Sequence, residues 1–199
     1  MRNANSQIIP LIKQKTLELL MQSDPAQIGM REIAKNCGIT ATNIYHYYKD
    51  KDTLFQAISL DCIRALNEKI KNAATKGKNT KNQVKNAIQV FCSWCFENPR
   101  MALLVMQGIK SAENVSPEIM EEYYICNRTG EQLLRKAIAE GAAHSKNPRL
   151  DIGLLVSGVW GCIEAVLLKK CDVEYWENGK KFTDAFITLW LNSIFGDEK

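Results

Sequence analysis

The amino-acid sequence predicts an all-α chain of about nine helices, with a three-helix N-terminal unit followed by a longer helical region. Three observations carry this. Apolar residues recur at three- and four-residue spacing along most of the 199 residues, and no stretch alternates with period two long enough to make a strand. Helix-stopping runs (Ser23-Asp24-Pro25, Asn98-Pro99, Ser116-Pro117 and Asn147-Pro148) cut that pattern into pieces of helical length. Residues 30–51, MREIAKNCGITATNIYHYYKDK, have the spacing of two short helices joined by a tight turn.

Composition bounds the rest. With 46% hydrophobic and 24% charged residues the chain is an ordinary globular sequence, long enough to bury a sizeable core. A net charge of +4 permits nucleic-acid binding without requiring it. Seven cysteines are an odd number, and the start MRNANSQIIPLIKQK lacks the apolar run of a signal peptide, so a reduced, cytoplasmic setting is expected. The most apolar run, residues 152–163, ends at Glu164. A membrane-spanning helix needs about twenty residues, so a buried helix and no membrane partner are expected.

Taken in order, Ile9, Ile12, Thr16, Leu19 and Leu20 form one stripe of a helix over 6–22. In the next segment Ile33 and Ala34 lie on one short helix, and Ala34 is small enough for a second helix to cross it closely. Gly38 suits a turn with positive φ. Thr40 can cap a helix over 41–48, whose Ile44 and Tyr48 ring face inward. Thr42, Asn43, Tyr45, His46 and Tyr47 carry hydrogen-bonding groups on the same helix, more than a packing helix of that length would use. This is a helix-turn-helix, whose second helix can enter the DNA major groove by its N-terminal residues. Asp50 is placed to cap the following helix, with Lys51 in its first turn and Leu54, Ile58, Cys62 and Ala65 as its stripe. The six lysines between Lys69 and Lys85 are expected to be a solvated helix end and loop.

Beyond these, Val84, Ile88, Phe91, Cys92 and Cys95 mark a helix ending near Asn98, and Asn98 and Ser116 are expected to cap the helices opened by Pro99 and Pro117. A single helix is expected over 117–140, with Ile119, Tyr123, Cys126, Leu133 and Leu134 on it. Residues 151–170 are apolar nearly all round and carry Gly153, Ser157, Gly158, Gly161 and Ala165, which allow close approach of another helix. Residues 180–195 present Phe182, Phe186, Leu189, Trp190 and Ile194.

The run Ile33-Ala34, Cys37-Gly38-Ile39-Thr40, Asn43-Ile44-Tyr45-His46-Tyr47-Tyr48 and Lys51-Asp52-Thr53-Leu54 resembles the N-terminal domain of TetR-type transcriptional regulators. The resemblance covers roughly residues 8–58 and departs at Ala41, Tyr48 and Lys49. It implies a DNA-binding domain at 1–52 and an effector-binding and dimerisation domain at 53–199. It further implies a homodimer formed through 151–170 and 180–195, reading a palindromic operator on double-stranded DNA as a ligand-released repressor. Arg31, Ala41, Thr42, Asn43 and His46 lie where the family contacts base edges; Thr40, Tyr45, Tyr47 and Lys51 lie where it contacts phosphate. The chemistry agrees in part: Arg31 can pair bidentately with guanine, Asn43 with adenine, and Ala41 and Thr42 can offer methyls to thymine.

The middle helices are expected to enclose a pocket for a small-molecule effector. Candidate lining residues are Phe91, Trp94, Met101, Met106, Tyr123 and Trp160, the large side chains on those helices. Cys92-Ser93-Trp94-Cys95 is a CxxC, but His46 and His144 are the only histidines, and no strand-and-helix redox context surrounds it. Buried small hydrophobes are the better reading of this pair. No Ser/His/Asp set, carboxylate pair or Gly-rich phosphate loop stands out, so neither an enzyme nor a metal or cofactor is expected.

Overall fold

The computed structural model describes residues 3–107 and 115–196, and the described residues form eleven α-helices and no strand. In chain order these are α1 (Asn3–Gln22), α2 (Met30–Asn36), α3 (Ala41–Ile44), α4 (Lys51–Ala74), α5 (Thr80–Glu97) and α6 (Pro99–Met106). They are followed by α7 (Pro117–Tyr123), α8 (Ile125–Ala139), α9 (Pro148–Leu167), α10 (Val173–Glu177) and α11 (Gly179–Phe195).

Eleven helices replace the expected nine for two local reasons. The segment 117–140 breaks at Tyr124, whose N–H turns back to the Glu121 carbonyl instead of extending the ladder. The break brings Glu122 to α4, where Arg64 Nη2 donates to its carboxylate at 3.0 Å and Asn67 Nδ2 to its carbonyl at 3.1 Å. Helix α10 is too short to show a period in sequence; Lys169 over the Trp176 ring and Tyr175 stacked on Phe182 hold it in place.

Capping explains most of the boundaries. Asp50, Asn79, Ser116, Asn147 and Asn178 each accept a backbone N–H from the residue three positions on. Asn98 is the exception to expectation. Its side chain caps nothing in α6 and donates instead to the Trp94 carbonyl, closing α5.

Helices α1 to α3 and the start of α4 form the N-terminal unit. Ile12, Thr16 and Leu20 of α1 are fully buried against it, and the Thr16 hydroxyl is satisfied by the Ile12 carbonyl at 2.7 Å. Helix α4 runs unbroken out of this unit into the body, so one continuous apolar core extends from Ile12 to Ile194. Two polar ties brace the junction: Lys13 to Asp61 at 2.6 Å, and Arg100 of α6 to the Leu20 carbonyl at 3.2 Å. The lysine-rich segment lies at the far end of α4, roughly 35 Å from its first turn at 1.5 Å per residue, which suits a solvated end better than a DNA contact.

Helices α9 and α11 pack together, and each also contacts α5. Their expected outward display is corrected in detail. Phe186 lies directly over Gly158, where an added Cβ would come within 2.1 Å of the ring. Trp190 donates to the Asp151 carbonyl at 3.2 Å, Phe182 stacks on Tyr175, and Ile194 is buried. Of the five named positions on α11, Leu189 alone stays outside, at 71% exposure. Helix α9 is likewise not buried all round. Ile152, Leu155, Val159, Ile163 and Val166 are buried, whereas Leu150, Leu154, Ser157, Gly161 and Leu168 form an open stripe. By length and composition alone α9 could cross a membrane, but in the fold its buried face is core.

Candidate nucleic-acid interface and internal cleft

Small residues make the turn between α2 and α3. Ala34 is 1% exposed, and its carbonyl accepts from Cys37 N at 3.1 Å and Ile39 N at 3.0 Å, which swings the chain round. Gly38 takes φ 67°, a left-handed conformation that side chains disfavour, although a Cβ there would meet nothing within 4 Å. The Thr40 side chain then accepts from Asn43 N at 3.1 Å and starts α3.

Helix α3 is shorter than the expected 41–48. Its α-helical part ends at Ile44, and His46 N and Tyr47 N bond three residues back in a tighter turn. The tightening delivers Tyr48 to the core and the chain to Asp50, the cap of α4. With Ile44 and Tyr48 as inward anchors, Thr42, Tyr45 and His46 are exposed, and Ala41, Asn43 and Tyr47 are half-buried beside them. Arg31 at the start of α2 and Thr40 are exposed as well, and Arg31 makes no ion pair among the described residues. Lys51, expected at phosphate, has a partner within the chain. Its ammonium donates to the Pro25 carbonyl at 3.0 Å and lies 5.6 Å from the Phe55 ring centre, so it ties α4 to the α1–α2 loop.

The body holds a cleft of about 720 Å³ between α4, α5, α6, α7, α8 and α9. Phe91, Met106, Tyr123 and Trp160 line it, with Phe91 and Trp160 edge-to-face at 4.6 Å. Trp94 and Met101 do not line it; both are buried core side chains. Sequence reasoning missed Asn67, Tyr124, Asn127 and Glu164, which supply polar groups to the lining. Asn67 did leave a signal, since it interrupts the apolar stripe Ile63, Leu66, Ile70 of α4 and is 3% exposed. Tyr123 carries a buried hydroxyl with no hydrogen-bonding partner among the described residues. Burial, and secondarily the Glu122 charge, raises its pKa, so it remains a protonated donor.

Cys92 and Cys95 lie one turn apart on α5, both buried. Burial pushes the Cys92 thiol up to about 12 and raises that of Cys95 further. A thiolate is the form that attacks a disulfide or binds a metal, so this pair has the environment of packing residues. All seven cysteines are free thiols, and among the described residues no group of three or more His, Cys, Asp or Glu side chains could hold a metal ion.

Comparison with known proteins agrees with this geometry. Residues 12–58 match the family model described as bacterial regulatory proteins, tetR family. Among curated protein sequences none matches significantly. Solved structures match along nearly the whole chain. A bacterial regulatory protein in the tetR family from Rhodococcus RHA1 aligns with TM-score 0.72 and 16% identity over 96% of this chain and 98% of its own. The fatty acid degradation regulator FadR from Bacillus halodurans aligns with TM-score 0.69 and 16% identity, over 94% and 93%. The flavonoid-responsive regulator FrrA aligns with TM-score 0.57 and 16% identity, over 97% and 100%. At such identities these likenesses establish a shared fold.

Proposed function

The chain carries the helix-turn-helix unit of the tetR family of bacterial regulatory proteins within the fold of that family's solved members, and from this premise we propose a ligand-responsive transcriptional repressor. DNA binding as a transcription regulator of TetR type, the ligand response, the repression and the palindromic operator are all part of the proposal; the match over residues 12–58 and the shared fold support it. The observation that carries it is the exposed face of α3 and the turn after it, where Thr42, Tyr45 and His46 stand over the anchors Ile44 and Tyr48. Hydrogen-bonding side chains fixed to a short helix by two core residues can read base edges and grip phosphate.

The protein acts as a cytoplasmic homodimer without catalytic activity. One such helix reads too few bases for useful specificity, and two copies related by a two-fold axis fit half-sites one turn of DNA apart, about 34 Å. The open stripe Leu150, Leu154, Ser157, Gly161 on α9 and Leu189 on α11 supports pairing of these helices with their copies. The DNA-reading part is residues 1–52 and the effector-binding and dimerising part 53–199. Arg31, Ala41, Thr42, Asn43 and His46 contact bases, and Thr40, Tyr45, Tyr47 and Lys51 contact phosphate. For Lys51 this means releasing Pro25 or using its remaining donors. The cleft between α4 and α9 is the effector site, and ligation there shifts the spacing of the two DNA units. The fold shared with a flavonoid-responsive regulator supports a small-molecule response.

The test is binding of the purified protein to DNA from upstream of its own gene, titrated with salt. Tight binding to a short palindrome, weakening steeply as salt rises, is expected. Affinity equal to that for random DNA across all sites selected from a genomic library would sink the proposal.

A further inference from the structure

The cleft has a second compartment. Behind it lies a recess of about 30 Å³, lined by apolar side chains and Gly130 without a single charged or amide group. Ile70, Phe91, Cys126 and Val156 belong to both linings, so the recess adjoins the cleft across these side chains. An apolar void of this size stays dry and has room for the end of a hydrocarbon chain. Tyr123, whose hydroxyl has no partner among the described residues, lines the cleft and not the recess. The two ends therefore differ in chemistry: one is dry, and the other has a phenol whose hydrogen-bonding capacity nothing in the described protein uses.

Charge narrows the class. The one ionisable carboxylate in the lining is Glu164, and Lys170 already pairs with it at 2.8 Å. No Lys, Arg or His is among the described residues that line either compartment. An anionic ligand would leave water beside Glu164 without a cation in return, and a cationic one would compete with Lys170 for a carboxylate already satisfied. We infer that the cleft takes an uncharged, elongated, mainly apolar molecule, its tail in the recess behind Phe91 and a hydrogen-bond-accepting group at the Tyr123 end. The Tyr123 hydroxyl is buried, so donating to the ligand requires its ring to turn towards the cleft, and no bond among the described residues holds the hydroxyl in place. This assignment rests on the effector reading given above.

The test uses the full chain and a neutral fluorescent probe, N-phenyl-1-naphthylamine, displaced by 1-decanol, decanoate and decyltrimethylammonium. The alcohol should displace it at concentrations at least tenfold lower than either ion. From 1-hexanol to 1-decanol, each added methylene should tighten binding by roughly threefold to fourfold. Val156→Phe, which narrows the passage to the recess, should flatten that series. Tyr123→Phe removes a hydroxyl that bonds to nothing in the described protein; it should weaken the alcohols severalfold, and it keeps the test open if Val156→Phe does not fold. Equal or tighter binding of decanoate or the ammonium, or no gain with chain length, overturns the ligand class and leaves the effector reading standing. Failure of every compound to bind overturns both. Ranked binding that leaves DNA affinity unchanged supports the ligand class and removes the effector reading.

Discussion

Two faces of this chain are left uncovered by the chain itself, and they are opposite in chemistry. On α3 and the turn that follows it the anchors Ile44 and Tyr48 point in and Thr42, Tyr45 and His46 point out. On α9 and α11 the core is just as well made, with Val159, Ile163 and Ile187 at 0–1% exposure, yet the outer stripe is apolar: Leu150 at 54%, Leu154 at 56% and Leu189 at 71%. The same construction, an inward anchor under an outward face, presents hydrogen-bonding groups in one place and hydrocarbon in the other. A polar face is stable in water alone, and its value lies in a partner with its own hydrogen-bonding pattern. An apolar stripe on two adjacent helices is costly in water, and a second copy relieves that cost. The proposed function assigns DNA to the first face and the dimer partner to the second.

The largest effect is expected at the polar face. Tyr45, half exposed and outside the core, can be removed without opening a cavity. Tyr45→Ala should reduce operator binding to the level of random DNA, a loss of roughly a thousandfold or more, with unchanged helicity and assembly. Unchanged affinity in a band-shift titration would break the assignment of α3 to DNA. The apolar face is tested next, by Leu154→Asp and Leu189→Asp. Each puts a charge where the partner would pack, so sedimentation should show monomer at concentrations where the parent is dimeric, with far-ultraviolet circular dichroism unchanged. A dimer that persists in the double variant would place the interface elsewhere.

Two glycines show how much of this was legible in the sequence, and why the rest was not. Gly38 sits in a local pattern (Ala34 four residues before it, a capping Thr40 two after), and the φ of 67° follows from that pattern alone. The N-terminal unit is made of such short-range dependences, so the Thr40 and Asp50 caps and the inward Ile44 could be placed from spacing, while the early end of α3 at Ile44 could not. Gly158 is different. It belongs to a stripe of small residues that implies close approach, but sequence cannot say by what. The neighbour is Phe186 of the same chain, whereas Gly153 and Gly161 on the same helix meet nothing within 4 Å. The cleft was half legible for the same reason: size placed Phe91, Met106, Tyr123 and Trp160 on the right helices, but only the packing separates them from the equally large Trp94 and Met101, which are core. The break at Tyr124 was hidden because both halves continue one apolar period, and what bends the chain there is a long-range contact, Glu122 with Arg64 and Asn67 of α4.

The glycines also give the third prediction, which separates intrachain packing from the partner face. Gly158→Ala forces a methyl against the Phe186 ring and should cost about 1–3 kcal/mol in denaturant melts. Gly161→Ala, one turn on at the open stripe and also on the wall of the cleft, should leave the isolated chain at least as stable as before and disturb assembly or effector binding. Equal destabilisation of the monomer by both would mean that the two sides of α9 are not distinct in the way described.

The smallest effect is expected at Asp50, beneath the polar face. Its carboxylate accepts from Thr53 N and from the Thr53 hydroxyl, both at 2.7 Å, and these bonds hold its pKa below the usual 3.8. A carboxyl with a depressed folded-state pKa contributes stability that is present above its unfolded value and lost as pH falls through the lowered one. Asp50→Ala removes the cap and should cost about 1 kcal/mol at neutral pH. Asp50→Asn keeps an acceptor oxygen, so it should retain most of the cap while losing the acid sensitivity that this carboxylate contributes below pH 3.8. Because Asp50 fixes where α4 begins, and hence where the turn 45–47 must end, both variants should weaken DNA binding by less than Tyr45→Ala does, through the angle of α3 and not through a lost contact. A loss at Asp50→Asn as large as that at Tyr45→Ala would make Asp50 itself part of the interface and extend the polar face beyond α3.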